Sequence, residues 1–423
     1  MEGIFMKTNK IVSSLAVLLA GLSISYGLEI ELLTPEDNAV YDTNMPTVRE
    51  FLANFDARGV KPPRPKRTEQ ELEQERRQNA AYEKWVKEGS IKSKRVKPYE
   101  DRFNFYINNS WSSELMKRAE VEENEYRPFT WKFDSFATNV VVEFYEANTS
   151  TEGEPTYKES ISFKQKTSHF PNYLMLGKTY KWRISAEDKT GQKFYSPFRT
   201  FTTKNEWPRI IRNASFNMRD MGGGTNVHGQ VVRQGLLYRG QAIPAGNTSD
   251  AFLRSLYIDA LKIKTELDLR GKEECMERRK AWKEKDLAEL FGVNHIYLGI
   301  IPYHINHPTN RDSLLKIFEE LSKEENYPIY FHCKVGSDRA GTVAFLIDGL
   351  LGRADKHLID NYELPSFNRN LPRYRYCRKG SGMINDLTGK NGEPFHVTIE
   401  KYLLKLGVPQ EQLDSIRNIL IEK

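Results

Sequence analysis

Cysteine is scarce in this chain, whose 423 residues include only Cys275, Cys333 and Cys377. An odd count leaves at least one thiol unpaired, which excludes a fully bridged set. A disulfide between Cys275 and Cys377 stays open, although no feature of the sequence requires it. With 39% hydrophobic and 12% aromatic residues, the chain can form packed cores, and its length suits two domains.

The chain also has only a small net charge and few long apolar runs. The formal net charge of +6 is modest for this length and does not amount to a nucleic-acid-binding footprint. Beyond the N-terminal segment, no apolar run is long enough to cross a membrane. We therefore expect no nucleic-acid partner, and no integral membrane segment once the N-terminal segment is removed.

The segment 1–27 has the pattern of a secretory signal peptide. Lys7 and Lys10 precede an apolar run that ends in small residues, Ser25 and Gly27. A buried helix or an uncleaved anchor is the alternative interpretation. No cysteine follows the run, so a lipid-anchored form is not expected. We predict an exported protein, either periplasmic or secreted.

Residues 28–203 are predicted to form an all-β sandwich with a charged helical insertion near 45–100. The clearest strands are 140–146 and 180–188, and in the second strand apolar and polar residues alternate, so one face is buried. A capping box and a later glycine predict a surface helix at 68–89 within the insertion.

This N-terminal region resembles a fibronectin-type-III or immunoglobulin-like domain over about a hundred residues. Tyr180 stands near the start of a strand, where such domains often carry a corner tyrosine. We expect the aromatic residues to form the core rather than a ligand platform. The resemblance implies a positioning module with a protein or glycan partner and no catalytic set of its own.

Short apolar strands alternate with helical stretches in the rest of the chain, 204–423. That alternation predicts an α/β domain with a central, partly parallel sheet flanked by helices. The predicted strands are 263–270, 293–300 and 328–333, and the predicted helices are 310–325 and 339–352.

One stretch of this domain, "PIYFHCKVGSDRAG" (328–341), places a cysteine between a buried strand and a buried helix. The turn from Cys333 to Arg339 lies at a helix N-terminus, where unpaired N–H groups and a partial positive charge favour an anion. Gly336 lets the backbone curl so that several N–H groups point inward. Because these surroundings stabilise a thiolate, we expect Cys333 to ionise readily.

The residues of this turn suit phosphoryl transfer through a covalent intermediate. Arg339 can hold two phosphoryl oxygens bidentately, which sets the phosphorus over the sulfur of Cys333. Attack by the thiolate gives a phosphocysteine that water then hydrolyses. The arginine and the loop amides stabilise the equatorial oxygens, so no metal or other cofactor is required. The alternative interpretation is an inert cysteine in an ordinary strand-to-helix turn.

These residues resemble the signature of the protein tyrosine phosphatase superfamily, Cys-x5-Arg. The loop "HCKVGSDRAG" is most similar to a bacterial branch with a His-Cys-x-x-Gly-x-Asp-Arg-Thr-Gly loop, which includes tyrosine, dual-specificity and phosphoinositide phosphatases. Four other segments resemble blocks of that branch in the same order, so the resemblance covers roughly residues 210–420. These segments are "FNMRDMGG" (216–223), "GLLYRGQ" (235–241), "ELDLRGKEE" (266–274) and "DNYELPS" (360–366).

By that resemblance, Cys333 is the nucleophile and Arg339 is the phosphate clamp. His332 would support the loop and favour the thiolate. Asp220 and Arg219 would line the pocket mouth, unless the glycines that follow them mark a plain turn. The main-chain amides of the loop would cradle the phosphate, namely those of Lys334, Val335, Gly336, Ser337, Asp338 and Arg339.

The general acid is the open assignment. Tyrosine phosphatases generally carry an aspartate on a loop upstream of the cysteine, but "GIIPYHINHPTN" (299–310) contains neither Asp nor Glu. Asp338 is our first candidate, because the loop aspartate has been assigned this role in the resembled branch. Alternatively, Asp338 pairs with Arg339 or with a backbone amide. His304 and His307 are further candidates.

Two positions depart from the resembled pattern. Ala340 replaces a threonine that eases departure of the cysteine sulfur, unless Ser337 or Thr342 substitutes. Ser337 stands where lipid-directed members often carry a second lysine. This difference weakens the case for a phosphoinositide or inositol-phosphate substrate without excluding it. Asp268 and Arg270, at a strand end, are expected to tie loops together.

We therefore expect a phosphatase that acts on phosphotyrosine or with dual specificity, on a phosphorylated protein. A phosphorylated lipid or an inositol polyphosphate is the alternative substrate. Two rival functions stay open: a catalytically impaired phosphate-binding module, which Ala340 favours, and a surface adhesin in which the β-sandwich does the work.

Overall fold

The structure is a computed structural model, and it describes most of the chain from residue 27 onward. Residues 1–26 of the predicted signal peptide, most of the predicted helix at 68–89 and Cys377 lie outside the described residues. The described ranges are 27–54, 127–148, 154–161, 166–211, 217–243, 249–282, 284–367, 382–389 and 392–422, together with Glu69, Glu73 and Arg76.

The chain divides into two compact units that interleave along the sequence. The first comprises Met1–Ala39, Arg127–Phe170 and Tyr180–Phe201. The second comprises Val40–Tyr126, Pro171–Thr179 and Thr202–Lys423. The domain boundary at 203/204 and the helical insertion stay predictions.

The strands up to residue 203 form two largely antiparallel sheets. One sheet has the order β1–β3–β6, and the other has the order β2–β9–β7–β4–β5 with β8 paired to β7. Their bounds are β1 Ile30–Thr34, β2 Ala39–Tyr41, β3 Phe129–Phe133, β4 Thr138–Glu146, β5 Tyr157–Ser160, β6 Ser168–His169, β7 Thr179–Glu187, β8 Lys193–Tyr195 and β9 Arg199–Thr203.

Aromatic side chains fill the core of the first unit. The ring of Phe129 meets those of Phe144, Trp182 and Phe201 edge-on, with centroids 4.9–5.5 Å apart. Such edge-to-face pairs add to the stabilisation from burial. The buried face of β7, with Tyr180 and Trp182, follows the alternation in the sequence.

The remaining strands form one sheet in the order β10–β11–β12–β15–β13–β14. The last four in that order are parallel, whereas β10 and β11 are antiparallel at one edge. β15 is central, and all five of its residues are buried. The bounds are β10 Arg209–Ile210, β11 Arg219–Asp220, β12 Leu237–Gln241, β13 Thr265–Asp268, β14 Asn294–Tyr297 and β15 Ile329–Cys333.

Helices pack around this sheet, and the predicted α/β class of the C-terminal domain is confirmed. The segment predicted as a helix at 310–325 comprises an α-helix, Pro308–Leu321, and a separate 3-10 turn at Glu324–Asn326. The helices are α1 Pro46–Asn54, α2 Asp250–Leu253 with a π-helical continuation to Ala260, α3 Lys272–Trp282, α4 Leu287–Phe291, α5 Pro308–Leu321, α6 Asp338–Leu350, α7 Asp355–Phe367, α8 Met383–Leu387, α9 Phe395–Leu406 and α10 Gln410–Leu420.

The helix after the central strand, α6, is buried from Ala340 to Leu350. Its apolar side chains join those of β15 in one hydrophobic core. Close packing on every side fixes where the helix begins, and therefore where the loop before it lies. Within the described part of the chain, no helix is both long enough and apolar enough to cross a membrane.

Candidate active site

The candidate nucleophile lies at the C-terminal end of the central strand. Cys333 is the last residue of β15 and is only 2% exposed. Its carbonyl oxygen accepts a hydrogen bond from the backbone N–H of Ala242 (2.8 Å), just beyond the neighbouring strand β12. The loop 334–337 follows, and α6 begins at Asp338. The structure therefore brings the cysteine and a helix N-terminus together as the sequence predicted.

Gly336 is the residue that lets the loop curl. Its φ of +67° lies in the left-handed region, and a β-carbon there would stand 2.3 Å from the carbonyl oxygen of Gly240. A side chain would thus collide with the backbone of β12. The Gly336 carbonyl accepts hydrogen bonds from Asn217 Nδ2 and Arg239 Nη2, each at 3.0 Å. Two buried side chains therefore hold the loop from behind.

Arg219 belongs to the same buried layer. It is 1% exposed, and its guanidinium donates to Asn217 Oδ1 (2.5 Å) and to Asn361 Oδ1 (2.8 Å). Asn361, on α7, in turn donates to Asp348 Oδ2 (2.6 Å) on α6. The network joins α6 and α7 to the residue that holds Gly336, so Arg219 acts on the loop from its buried side.

Asp220 fastens the turn that follows Arg219. It is fully buried, and Oδ2 accepts from Arg209 Nη1 and from the backbone N–H of Gly235, both at 2.7 Å. Oδ1 accepts from the backbone N–H of Gly222 (2.8 Å). These bonds satisfy a buried carboxylate and fix the glycine-rich turn beside β11.

Arg339, in the first turn of α6, is held by a carboxylate from α3. Its Nη1 lies 2.8 Å from Glu274 Oε2 and its Nη2 lies 3.1 Å from Oε1, a bidentate pair. Nη1 also lies 3.4 Å from the carbonyl oxygen of Leu269. Both side chains are partly exposed, at 21% for Arg339 and 37% for Glu274. These two bonds fix the plane of the guanidinium at the far end of the loop.

His332 lies directly behind the nucleophile. It is buried, with Nε2 at 2.8 Å from Glu266 Oε1 and Nδ1 at 3.2 Å from the carbonyl oxygen of Cys333. Burial lowers the pKa of His332, but the carboxylates of Asp268 and Glu266 outweigh burial and raise the pKa above its ordinary value. A raised pKa favours a positive charge on His332, next to the backbone of Cys333.

Asp268 and Arg270 form a buried ion pair at the end of β13. Arg270 Nη2 lies 2.6 Å from Asp268 Oδ2, and Arg270 also pairs with Glu284 at 2.6 Å. The thiol of Cys275 donates to the same oxygen of Asp268 (3.1 Å). Burial and then the Asp268 carboxylate raise the pKa of Cys275 to about 12, so this second cysteine stays a thiol.

One cluster near this pair has the composition of a metal site. Glu266, Asp286 and His295 bring a potential ligand atom each to within 4.8 Å of one another. Their oxygens already serve the fold: Asp286 Oδ1 caps α4 through two backbone N–H groups, and Glu266 meets His332. His295 Nδ1 lies 3.3 Å from Glu266 and 3.1 Å from Asp286. These contacts between His295 and the two carboxylates account for the cluster, and we assign it to support of the sheet.

Asp338 is half-buried at the start of α6 and meets a tyrosine. Tyr303 Oη donates to Asp338 Oδ1, while Arg339 pairs with Glu274. His304 is exposed, and His307 caps α5 through Nδ1, which accepts from a backbone N–H at 3.2 Å. Of the three predicted candidates for the acid, Asp338 is the one that directly follows the loop 334–337.

The position after the arginine has no hydroxyl. Ala340 is fully buried. Thr342 Oγ1 donates to the carbonyl oxygen of Asp338 (3.0 Å) and accepts from the backbone N–H of Tyr303 (3.1 Å), so its proton is already committed. Ser337 Oγ donates to a loop carbonyl at 3.3 Å and is the remaining hydroxyl within the loop.

Sequence reasoning missed several side chains of this site, among them Glu274, Asn361 and Tyr303. Glu274 and Asn361 lie within the segments 266–274 and 360–366, whose resemblance to family blocks was the available signal. Tyr303 lies in the upstream loop, which contains no carboxylate and in which His304 and His307 were the predicted candidates. No local sequence pattern predicts that any of these three side chains belongs to the site.

Comparison with known proteins places the loop within a described family. Residues 212–375 match the model of the tyrosine phosphatase family. The core catalytic domain of the PP-IP phosphatase SIW14 from S. cerevisiae, solved with citrate, is 20% identical over 38% of this chain and 80% of that chain, with a TM-score of 0.25. A second structure of the Siw14 catalytic core is 20% identical over 32% of this chain and 73% of that chain, with a TM-score of 0.23. None of the curated proteins compared with the chain matches it.

The matched residues include the whole loop from Cys333 to Arg339 and the segments that hold it. The family match supports the protein tyrosine phosphatase superfamily for this part of the chain. The protein is a tyrosine phosphatase-like phosphoric monoester hydrolase.

Proposed function

We propose that this protein is an exported, cysteine-dependent phosphatase that hydrolyses phosphotyrosine, or phosphotyrosine and phosphoserine/threonine, through a phosphocysteine. One observation carries the proposal: Cys333 ends a buried central strand beneath a loop that Gly336 curls, with Arg339 fixed at its far end by Glu274. The pattern of residues 1–27 supports export.

In the first step, the Cys333 thiolate attacks phosphorus and the P–O bond of the ester breaks. The departing oxygen takes a proton from Asp338, which becomes a carboxylate. In the second step, water attacks phosphorus, the P–S bond breaks, and Asp338 takes a proton from that water. Arg339 and the loop N–H groups stabilise the equatorial oxygens throughout. In this scheme, Asp338 transfers the protons, and Arg339 and the loop N–H groups stabilise the negative charge.

Phosphate release by the full chain tests the proposal. The assay contains a chelator, and its panel holds an aryl phosphate, a phosphotyrosine peptide, a phosphoserine peptide, a phosphoinositide and inositol hexakisphosphate. Chelator-resistant turnover with a phosphotyrosine preference is the expected result. If no substrate turns over while inorganic phosphate or vanadate still binds, the rival phosphate-binding module replaces the proposal.

Asp338→Asn is expected to lower kcat about 10²-fold or more on substrates with poor leaving groups, because the departing oxygen then receives no proton. An activated aryl phosphate needs little proton donation and should lose far less. Rates measured across a series of substituted aryl phosphates give both values. Equal losses along the series would remove Asp338 from the acid role.

A second candidate substrate class is the inositol polyphosphates and phosphoinositides. Lys334, next to the nucleophile, is exposed and can meet a further phosphate of such a substrate. Lys334→Gln should then raise KM for a polyphosphorylated substrate about tenfold and leave KM for an aryl phosphate nearly unchanged. Lys264→Gln is the matched control, because exposed Lys264 precedes β13 at the opposite end of the parallel strands. Equal KM changes for both substrates would count against this class.

For the N-terminal sheets we propose a fibronectin-type-III-like sandwich that binds a protein or glycan partner. The supporting observations are the strand orders of the two sheets, one β1–β3–β6 and one containing β9–β7–β4–β5, and the burial of Tyr180 near the start of β7. We also propose that the phosphatase domain belongs to the bacterial branch of the superfamily, because its residues His332 to Arg339 resemble the loop of that branch.

A further inference from the structure

The loop between β14 and α5 carries a tyrosine into the candidate active site. Residues 299–307 contain no carboxylate, but Tyr303 Oη donates a hydrogen bond to Asp338 Oδ1. The two residues lie 35 positions apart in sequence. The loop therefore contributes to the acid through a phenol rather than through a carboxylate of its own.

The backbone of Tyr303 is held in a conformation that side chains rarely adopt. Its φ is +69°, in the left-handed region, and a bulky residue there is strained. The strain persists because the surrounding loop is pinned: Asn310 Oδ1 accepts from the N–H of Ile301 (2.7 Å), and Asn310 Nδ2 donates to the carbonyls of Ile301 and His304 (2.8 Å each). Strain maintained at a reactive centre is typical of a functional requirement.

Thr342 ties the tyrosine and the aspartate to one another. Its Oγ1 accepts from the backbone N–H of Tyr303 (3.1 Å) and donates to the carbonyl oxygen of Asp338 (3.0 Å). Thr342 is buried in α6 and therefore rigid. The side-chain hydrogen bond and this backbone link together fix the distance between the phenol and the carboxyl group.

We propose that Tyr303 is a positioning residue for the general acid, an inference that rests on the proposed function. Tyr303 holds Oδ1 of Asp338, so that Oδ2 carries the proton to the leaving oxygen. As the proton departs, negative charge grows on the carboxylate, and the hydrogen bond from the phenol strengthens because its acceptor becomes charged. The bond thus stabilises the transition state more than the ground state.

The test compares Tyr303→Phe, Asp338→Asn and the double variant on a poor and on an activated leaving group. Tyr303→Phe keeps the ring and removes the donor, so kcat on the poor leaving group should fall about tenfold or more, with a smaller loss on the activated one. In the Asp338→Asn background, Tyr303→Phe should cause no further loss. Tyr402→Phe is the matched control, because Tyr402 Oη donates to the Ile305 carbonyl (2.8 Å) of the same loop.

The outcomes distinguish failure of the role of Tyr303 from failure of the proposed function. Equal losses of Tyr303→Phe on both leaving groups, the same losses in Tyr402→Phe, or full additivity with Asp338→Asn would reduce Tyr303 to a loop support and overturn the proposal. Leaving-group dependence in Asp338→Asn but not in Tyr303→Phe would overturn the tyrosine role alone. Absence of that dependence in Asp338→Asn would overturn the acid assignment, and with it the role of Tyr303.

Discussion

Cys333→Ser is expected to lower kcat by about 10⁵-fold. The reaction needs an anionic nucleophile, and a serine hydroxyl keeps its proton where a cysteine thiol can lose it. The change is small in volume, and the loop amides and Arg339 are untouched. Inorganic phosphate or vanadate should therefore still bind within about tenfold of the wild-type affinity. Steady-state phosphate release and vanadate titration measure the two quantities.

Cys275→Ser is the control for that variant. Cys275 is also buried, but its thiol donates to Asp268, and serine preserves a donor there. Turnover should stay near the wild-type value. Retained turnover in Cys333→Ser, or an equal loss in Cys275→Ser, would contradict the assignment of the nucleophile.

Arg339→Lys is expected to lower kcat/KM about 10³-fold, because an ammonium cannot hold two phosphoryl oxygens in one plane. The loss should appear with every substrate, since all of them share the phosphoryl group. Measurement of kcat and KM on an aryl phosphate and on a phosphopeptide gives the comparison.

Glu274→Gln distinguishes the contact of Arg339 with the phosphoryl group from the orientation of Arg339 by Glu274. The amide keeps one acceptor oxygen for Arg339 and loses the charge, so kcat/KM should fall about tenfold, far less than in Arg339→Lys. An Arg339→Lys enzyme that retains turnover within tenfold would mean that the guanidinium does not clamp the phosphoryl group.

The sequence was sufficient for the strand, the loop and the helix around Cys333. An apolar run, a glycine and a second apolar run specify those three pieces locally, and the alternation of elements specifies the α/β class. The burial of β15 follows from the same pattern, because a central parallel strand is apolar on both faces, whereas the order of the strands in the sheet was not predicted.

The partners that orient the site could not be predicted in the same way. Glu274 lies 65 positions from Arg339, and Asn361 lies 142 positions from Arg219. Such pairs form only when the whole sheet and its helices have packed, and many glutamates and asparagines would look equally suitable in the sequence. The predicted pocket-mouth role of Arg219 rested on a motif, whereas the structure places its guanidinium behind the loop.

We expect Ala340 to slow the second step. The resemblance to the family implies that a hydroxyl after the arginine eases departure of the sulfur, and the proton of Thr342 is committed to the carbonyl oxygen of Asp338. Breakdown of the phosphocysteine should therefore be slow relative to its formation. An enzyme with this imbalance accumulates its covalent intermediate during turnover, which makes the intermediate accessible to direct detection.

The measurement that tests the account most directly is rapid acid quench of the full chain during turnover of an aryl phosphate, followed by peptide mass spectrometry. Our account predicts one added phosphoryl group on the peptide that contains Cys333, and none on that peptide in Cys333→Ser. Turnover without a phosphoryl group on Cys333, or with one on another side chain, would contradict the cysteine mechanism.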